Sequence, residues 1–452
     1  MIGSHDRQPP FAVEGSASRA IFERARAVFP DGTTRSTISR DPFPTYVKRG
    51  EGAYLVDVDG RPYLDLNGNF TTLIHGHSFG PVVAAVTRQL TSGTCFANPT
   101  EAEVNLASLL CSRVPRLERI RFMNTGTEAV MFAIKAARAY TGREGIAKIE
   151  GAYHGAYDWV EVAQSSGPDN WGPRDQPAAT PYYNGVPRNV LESVVPLNFN
   201  DAEGAERLLS SRAPDLAAVI IDPMPSRAGL VAPDPEFIQA VQRTARAHGI
   251  LVISDEVLNF RQAHEGASSR YGIEADIFTL GKIIGGGFPI GAVGGSADVM
   301  AVFSGDNGRA MLPQGGTFSA NPISMVAGHA AMTALDEDAF RHLEVLGEAL
   351  RNNLRREIER SQAPFCVTGA ASLLLIHPKR RPPRNFREAY QHPKEVSVMK
   401  EMTRYFFSKG IILPSGAASS LSMPMRLCEI EHISDVFASF LVEKAEAVDR
   451  IA

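Results

Sequence analysis

Short apolar segments alternate with helical patterns between about residues 120 and 296, and this alternation constrains the fold more than any other feature of the sequence. Six segments are predicted to be strands of a parallel sheet: RIRFMN, GIAKIE, LAAVIID, GILVISD, DIFTLG and IGAVGG. Between several of them lie patterns such as TEAVMFAIKAARAYTG (Thr127 to Gly142), which has apolar positions at helical spacing and a closing glycine. Strands that alternate with helices predict a large, doubly wound α/β domain with a mostly parallel sheet. In such a domain, ligands bind at the carboxyl ends of the strands.

The two ends of the chain are predicted to combine into a second, smaller domain. The stretch from Thr45 to Asn69 has short alternating runs around DVDG, which is a hairpin signal. Near the other end, the helical run AFRHLEVLGEALRNNLRREIERS places Leu343, Leu346, Leu350 and Leu354 on one stripe. We therefore predict a small α+β domain made of residues 1–75 and 336–452 beside a large domain of residues 76–335.

Composition and charge point to a small-molecule partner. Lys and Arg total 46 against 50 Asp and Glu, so the formal net charge of -4 gives no reason to expect nucleic acid or an anionic membrane. No apolar run approaches the roughly 18 residues of a membrane-spanning helix, and the start, MIGSHDRQPPF, lacks the apolar region of a signal peptide. The four cysteines are far apart and form no CxxC pair, which argues against a metal site or a disulfide framework. The sequence predicts a cytoplasmic protein without a metal.

The segment FMNTGTEA ends a predicted strand and opens a helix. Gly126 lets the backbone turn tightly, and Thr127 offers a hydroxyl and an N–H group at the helix N-terminus, where anions bind. This arrangement is typical of a phosphate cradle. Thr127 followed by Glu128 also fits an ordinary N-terminal cap, so both interpretations stay open at this point.

An acid and a lysine follow two neighbouring strands. LVISDEV places Asp255 at the carboxyl end of an apolar strand, where a carboxylate needs a cationic partner. Lys282, in TLGKIIGGG, follows the next strand, so both side chains can face one cleft; a purely structural ion pair between them is the alternative. Pyridoxal phosphate is a cofactor that needs a lysine for its imine, a carboxylate for its ring nitrogen and a helix N-terminus for its phosphate.

Six motifs together resemble a known family. NTGTEA, GAYHG, DEV, TLGK, GGGFPIGAVGG and GGTFSANP stand in the order and approximate spacing of class III pyridoxal-phosphate aminotransferases. More narrowly, they are similar to the branch with glutamate-1-semialdehyde aminomutase and the β-amino-acid (β-phenylalanine) aminotransferases. The resemblance extends from about Arg19 to the C-terminus. It implies the fold type I of pyridoxal-phosphate enzymes and a homodimer with active sites at the subunit interface.

The resemblance also implies which residues hold the cofactor and carry the chemistry. Lys282 is the imine lysine and then the proton shuttle, and Asp255 pairs with the ring nitrogen. The other implied cofactor contacts are Gly126 and Thr127 at the phosphate, Tyr153 stacked on the ring, Val257 against its other face, His154 near the ring, and Thr317 reaching the phosphate of the neighbouring subunit's cofactor.

The function predicted is amino transfer from a donor to a keto acceptor through a Lys282 imine and pyridoxamine phosphate. Arg35, in TTRSTIS, falls where β-amino-acid aminotransferases carry a carboxylate-binding arginine, which favours a carboxylated donor, including a β-amino acid; a plain surface arginine is the alternative. Gly416 stands where those enzymes have a second such arginine, and Asp222 replaces the family's usual glutamate. The alternative reaction is that of a glutamate-1-semialdehyde 2,1-aminomutase-like isomerase.

Three further features allow competing interpretations. GHSFG fits the nucleophile elbow of serine hydrolases around Ser78, although Pro81 and a polar approach fit a loop that enters a helix better. A binding protein that kept the fold but lost catalysis is disfavoured, because Lys282 and Asp255 are both present. The loop at residues 165–187 is rich in Pro, Gly and Asn, and it is either a substrate gate or a disordered insertion.

Overall fold

The computed structural model describes residues 15–306, 308–414, 416 and 418–451. Residues 1–14 of the predicted small domain therefore lie outside the described residues. The strands are β1 Val47–Glu51, β2 Tyr54–Asp57, β3 Pro62–Asp65, β4 Arg119–Met123, β5 Gly145–Ile149, β6 Val194–Leu197, β7 Leu216–Ile221, β8 Leu251–Asp255, β9 Ile277–Gly281, β10 Gly291–Gly295, β11 Cys366–Thr368, β12 Leu373–His377, β13 Ile411–Ile412 and β14 Ser419–Ser420.

The helices follow the same chain order. They are α1 Ala17–Ala25, α2 Gly68–Thr71, α3 Gly80–Leu90, α4 Glu101–Arg113, α5 Gly126–Thr141, α6 Asp158–Glu161, α7 Arg188–Glu192, α8 Ala202–Ser211, α9 Pro235–His248, α10 Ala267–Tyr271, α11 Ala297–Met300, α12 Pro322–Thr333, α13 Glu337–Ser361, α14 Phe386–Ala389, α15 Pro393–Ser408, α16 Leu427–Glu443 and α17 Ala445–Val448. Over the described ranges, none of them has both the length and the apolar character needed to cross a bilayer.

A seven-stranded sheet in the order β4-β10-β9-β8-β7-β5-β6 forms the large α/β part. The six predicted strands are all present, as β4, β5 and β7 to β10. Strands β5 and β7 to β10 are buried along their whole length, because helix α5 covers one face and helices α4, α8, α9 and α12 cover the other. This is the predicted doubly wound class. Strand β6, at the edge of the sheet, was not predicted, because its run VVPL contains Pro196. A proline is nevertheless typical of edge strands, since it has no N–H to donate to a neighbouring strand.

The sheet is mostly parallel as predicted, but β10 was wrongly predicted to run parallel to the other strands. Strand β10 pairs antiparallel with both β9 and β4, whereas the other pairs in this sheet are parallel. The connection from β9 to β10 is only residues 282–290, and a parallel crossover needs about a dozen residues or more. As a result, the amino end of β10 lies at the same sheet edge as the carboxyl ends of the other strands.

The two ends of the chain share one α+β unit. The DVDG turn joins β2 to β3 as the predicted hairpin, and β3 pairs in parallel with β13 near the C-terminus. In the core between them, Leu64 and Leu66 pack with leucines of the predicted stripe on α13, such as Leu350 and Leu354. Domain boundaries at residues 75 and 335 remain a prediction, which this separate core supports.

A buried arginine links the large sheet to segments that surround the site. Arg261 is 1% exposed and donates to the backbone oxygens of Thr71 at 2.7 Å and Leu421 at 2.5 Å, and to Ser372 Oγ at 3.0 Å. Burial lowers the pKa of this guanidinium to about 9. Because its three acceptors lie on three different segments, Arg261 holds these segments together.

Candidate active site

A cavity of about 490 Å³ lies at the sheet edge where the strands end. Loops that follow β4, β5, β7, β8 and β9, together with the N-terminal segment, supply its walls. Eight of the nine predicted site residues line it: Arg35, Gly126, Thr127, Tyr153, His154, Asp255, Val257 and Lys282. Thr317 does not line it.

Three donors hold Asp255 at the end of β8. Its Oδ1 accepts from Thr279 Oγ1 at 2.8 Å and from the Val257 N–H at 3.1 Å, and its Oδ2 lies 2.6 Å from His154 Nδ1. Within the described part of the chain, no ion pair joins Asp255 to Lys282. The interpretation of these two residues as a structural ion pair is therefore wrong, and the carboxylate is oriented by other groups.

His154 acts on Asp255 from a fully buried position. An ionised carboxylate only accepts hydrogen bonds, so the ring must carry its proton on Nδ1 to make this contact. Burial lowers the pKa of His154, while the carboxylate of Asp255 opposes that shift. The ring is thus a neutral donor that orients the acid, and its lining of the cavity is consistent with the predicted place near the cofactor.

Lys282 begins the 3-10 turn Lys282–Gly285 directly after β9. Its φ of 49° is in the left-handed region, which is unusual for a residue other than glycine and costs energy that surrounding contacts must offset. Burial lowers the pKa of its amine to about 8, while the acids Asp255 and Asp222 oppose the shift. An amine with a pKa near neutrality can serve both as a nucleophile and as a base.

Asp222 follows β7 and faces the same cavity. Burial raises its pKa well above the usual range, and the charge of Asp255 raises it further. One oxygen accepts from the Met224 N–H at 3.0 Å and from the side-chain amide of Asn259. Burial and the charge of Asp255 thus both favour the protonated form of Asp222.

The N-terminus of α5 is capped by Thr125. Its hydroxyl accepts from the Glu128 N–H at 3.0 Å, whereas the Thr127 hydroxyl accepts from the Ala156 N–H at 3.2 Å. The interpretation of Thr127 as the helix cap is therefore wrong. Its hydroxyl and N–H lie at the cavity instead, where an anion would meet the positive end of the helix.

Two glycines allow the backbone at this helix start to pack closely. A Cβ on Gly126 would lie 2.9 Å from Val257 Cγ1, and one on Gly155 would lie 2.4 Å from Thr127 Oγ1. Gly155 also has a φ of 94°, which disfavours a side chain. The close backbone packing and the positive helix end fit a phosphate group.

Tyr153 and Val257 supply apolar surface to the same cavity. Tyr153 is 55% exposed and lies in the loop after β5, and Val257 follows Asp255. An aromatic ring and a branched aliphatic group around a buried acid suit a flat heteroaromatic ligand. Their predicted places on opposite faces of a cofactor ring remain a prediction.

Arg35 reaches the cavity from the N-terminal segment. Its Nη1 donates to Asn69 Oδ1 at 2.9 Å, and its guanidinium lies 5.9 Å from the centre of the Phe70 ring. Asn69 and Phe70 have φ values of 51° and 55°, so they belong to a strained left-handed turn. Among the described residues, Arg35 has no carboxylate partner, which leaves its charge available to a ligand.

The other predicted features lie outside the cavity. Thr317 is exposed, and its backbone oxygen accepts from Cys95 Sγ at 3.7 Å. Ser78 is exposed as well and donates to the Gly50 backbone oxygen at 2.8 Å, which contradicts a role as a hydrolase nucleophile. Among the described residues, none has an atom within 4 Å of the point that a Cβ on Gly416 would occupy, so Gly416 adds no contact to the site.

The loop at residues 165–187 is anchored to the rest of the protein. Ser166 and Thr180 join its two ends at 2.7 Å between their hydroxyl oxygens. Arg387 donates to the backbone oxygens of Trp171 at 2.7 Å and Gly172 at 2.8 Å. These contacts contradict a disordered insertion, and the interpretation of the loop as a substrate gate stays a prediction.

Sequence reasoning missed two residues near the site. Thr279 becomes visible as a partner of Asp255 only once β8 and β9 are paired in register. Arg227 follows β7 in DPMPSRAG, and its position after a strand was the available signal.

A lysine, a buried carboxylate and a helix N-terminus around one cavity, at the edge of a doubly wound sheet, define a pyridoxal-phosphate-dependent enzyme of fold type I. The chain belongs to the class III aminotransferase family, whose family model matches residues 36–441. This confirms the resemblance seen in the six motifs.

Individual relatives carry two kinds of name. The glutamate-1-semialdehyde 2,1-aminomutase of Methanothrix thermoacetophila is 39% identical over 84% of this chain and 86% of that protein. The crystal structure of an omega-transaminase from Sphaerobacter thermophilus is 45% identical, with a TM-score of 0.92 over 98% of this chain and 99% of that chain. A β-phenylalanine aminotransferase from Variovorax paradoxus is 31% identical, with a TM-score of 0.85 over 96% and 95% of the two chains.

Proposed function

We propose that this protein transfers an amino group from a carboxylated donor, including β-amino acids, to a keto acceptor, with pyridoxal phosphate held at Lys282. The observation that carries the proposal is the single cavity shared by Lys282, Asp255 and the N-terminus of α5. The omega-transaminase with 45% identity over 98% of this chain supports transfer between two molecules.

The residues present fit the cofactor. Gly126 and Thr127 would hold its phosphate, Asp255 would meet its ring nitrogen, and Lys282 would bond to it. When bound, pyridoxal phosphate supplies an aldehyde for covalent attachment and a ring that accepts electrons. The hydrogen bond from His154 would hold the Asp255 carboxylate in position toward the ring.

Different residues of the protein would then transfer the proton, bind the substrate and hold the ring. Lys282 Nζ accepts a proton from the substrate carbon and returns it, which suits an amine whose pKa burial lowers to about 8. Arg35 would hold the substrate carboxylate by paired hydrogen bonds, with Asn69 orienting the guanidinium. Tyr153 and Val257 would hold the ring between them.

We also propose a homodimer in which Thr317 reaches the cofactor phosphate of the partner subunit. The exposed position of Thr317, away from the cavity of its own chain, supports this arrangement. A cytoplasmic location likewise stays a prediction.

A second candidate is the isomerase reaction of a glutamate-1-semialdehyde 2,1-aminomutase, in which the amino group moves within one molecule. Two curated relatives named as aminomutases, each 39% identical to this chain, favour this alternative over transfer between molecules. The same lysine, acid and phosphate cradle would serve both reactions.

The position of the cofactor is tested by borohydride reduction of the holoenzyme and peptide mass spectrometry. We expect a pyridoxyl group on the peptide that contains Lys282. A label on another lysine, or no label, would contradict the assignment.

The reaction is tested by a donor screen. Purified enzyme is supplied with α-amino acids, β-amino acids and ω-amines, with pyruvate or 2-oxoglutarate as acceptor. We expect amino transfer from at least one carboxylated donor. Failure of all donors, together with conversion of glutamate-1-semialdehyde without any acceptor, would favour the aminomutase.

A further inference from the structure

Arg227 lies beside the active-site cavity but has no assigned role. It is the middle residue of the 3-10 turn Ser226–Ala228, which follows β7 and Asp222 at the sheet edge that carries the site. Its neighbour Ser226 lines the cavity directly. The turn therefore brings a guanidinium to the same side of the sheet as Lys282.

The hydrogen-bonding capacity of Arg227 is largely unused. A guanidinium has five N–H donors, and in the described part of the chain Arg227 uses one of them, to Ser165 Oγ at 2.8 Å. Burial lowers its pKa, and the groups that oppose this shift are the hydroxyls of Tyr182 and Tyr153. No carboxylate of the described residues contributes, so a partly buried cation lacks a counter-ion.

Two other arginines of this protein, Arg261 and Arg387, are held by more acceptors than Arg227. Arg261 has three acceptors, and Arg387 holds Glu150 with two bonds of 2.8 and 3.1 Å. These two side chains stabilise the fold through nearly complete partner sets. Arg227 has no such set over the described ranges, so a structural role explains only its contact with Ser165.

The described surroundings of Arg227 also lack a free acid. Lys148 is fully buried nearby, and its burial together with the charge of Arg227 lowers its pKa to about 7. The acid next to Lys148 is Glu150, which Arg387 already engages. Glu161 acts on Tyr153 but forms no ion pair with Arg227 among the described residues. The wall behind Tyr153 is therefore positive and would attract an anion.

We propose that Arg227 is a substrate-binding residue that pairs with a carboxylate of the substrate beside Tyr153. The inference rests on the proposed function, since it takes this cavity as the substrate site. It would give the site a second guanidinium besides Arg35. The stretch from Pro414 to Ser420, where the resemblance places a second arginine, contains none. A carboxylate would use the free donors of the planar fork and supply the missing counter-ion.

The test measures binding of unreactive ligands to the holoenzyme by calorimetry. The ligands are succinate and 3-phenylpropanoate, each compared with its uncharged amide. Because hydrogen bonds to charged groups are strong, R227M should weaken the carboxylates about tenfold or more and change the amides by about twofold at most. The controls are S165A, which removes only the existing partner, and R35M, which removes the other guanidinium.

The outcomes separate the possibilities. Equal losses for carboxylates and amides in R227M, no loss at all, or no carboxylate binding by the parent enzyme would overturn the proposal. If R227M does not fold or load cofactor, R227K decides, because it keeps the charge and loses the fork; we expect an about three- to tenfold loss for carboxylates alone. A parent enzyme that binds carboxylates through Arg227 yet converts no donor would instead contradict the proposed function.

Discussion

Lys282 combines a buried charge, which destabilises the folded protein, with a lowered pKa that suits catalysis. Its ammonium form loses hydration in the cavity, and the neighbouring acids Asp255 and Asp222 only partly compensate for that loss. The amine therefore deprotonates more easily than in water. That property suits a nucleophile and base, but it places an unfavourable charge in the folded protein below its pKa.

Replacement of Lys282 by Met should stabilise the cofactor-free protein near neutral pH. In the parent, the folded-state pKa of about 8 lies below the unfolded value, so the folded state binds fewer protons between these values and its stability rises with pH in that window. Below pH 8 the full penalty applies, on the order of 3 kcal/mol. We expect Lys282→Met to gain up to that amount at pH 7 and little at pH 10.5, as measured by urea unfolding.

Lys148 also has a lowered pKa, so its contribution to the pH dependence must be separated from that of Lys282. Burial lowers its pKa to about 7, so it adds a similar rise with pH to both proteins and cancels in the difference. The exposed Lys48 of β1, replaced by Met, is the matched control and should change stability by less than about 0.5 kcal/mol. A Lys282→Met protein less stable than its parent at pH 7 would contradict the burial argument.

At the scale of one element, the first turn of α5 separates a folding role from a binding role. Thr125 caps the helix, and Thr127 presents its hydroxyl at the cavity. Thr125→Ala should cost about 1 kcal/mol of stability. Thr127→Ala should cost little stability but weaken pyridoxal phosphate by about tenfold or more, since it removes a hydrogen bond to a charged group.

Unfolding of the cofactor-free proteins and titration with the cofactor measure the two effects. Thr127→Ser keeps the hydroxyl and should restore most of the affinity. If both alanine variants lose cofactor equally at unchanged stability, the division of roles along this turn is wrong.

Arg387 is one of the side chains that hold the loop at residues 165–187. Arg387 pairs with Glu150, which is 1% exposed, and also donates to backbone oxygens of the loop. Arg387→Ala should destabilise the protein by about 3–5 kcal/mol, because it leaves a buried acid unpaired. It should also speed hydrogen exchange across the loop, whereas Glu150→Gln should keep the loop slow. Unchanged exchange in Arg387→Ala would show that other contacts hold the loop.

The sequence predicts a helix well where its hydrophobic period and its terminating residue indicate the same structure. The leucine stripe of α13 and the closing glycine of α5 identify both helices, since local pattern alone decides such segments. Strand β6 escaped because Pro196 interrupts its pattern, and the direction of β10 depends on the length of a connection rather than on its own residues. The six motifs located the cavity, but the partners of Asp255 depend on strand register, which no single motif contains.

At the scale of the whole molecule, contacts between distant parts of the chain complete the site. Strand β13, near the C-terminus, pairs with β3, which lies near the N-terminus. Arg261 donates to the Thr71 backbone oxygen and so fixes the turn that carries Asn69. The chain before the large sheet and the chain after it are thus brought to one cavity. Thr317 is the exception among the predicted site residues, because it lies outside the cavity of its own chain.

Exchange between subunits tests whether Thr317 serves a partner. Thr317→Val alone should weaken cofactor binding by about tenfold, through loss of a hydrogen bond to phosphate. A hybrid dimer of a Lys282→Ala subunit and a Thr317→Val subunit then contains one cavity with an intact Lys282 and, in trans, an intact Thr317. We expect half of the hybrid's sites to bind cofactor covalently with parental affinity, as measured by absorbance titration of dimers purified with two different tags. If Thr317 instead serves its own chain, that cavity keeps the weakened affinity, and a monomeric protein in solution would overturn the arrangement outright.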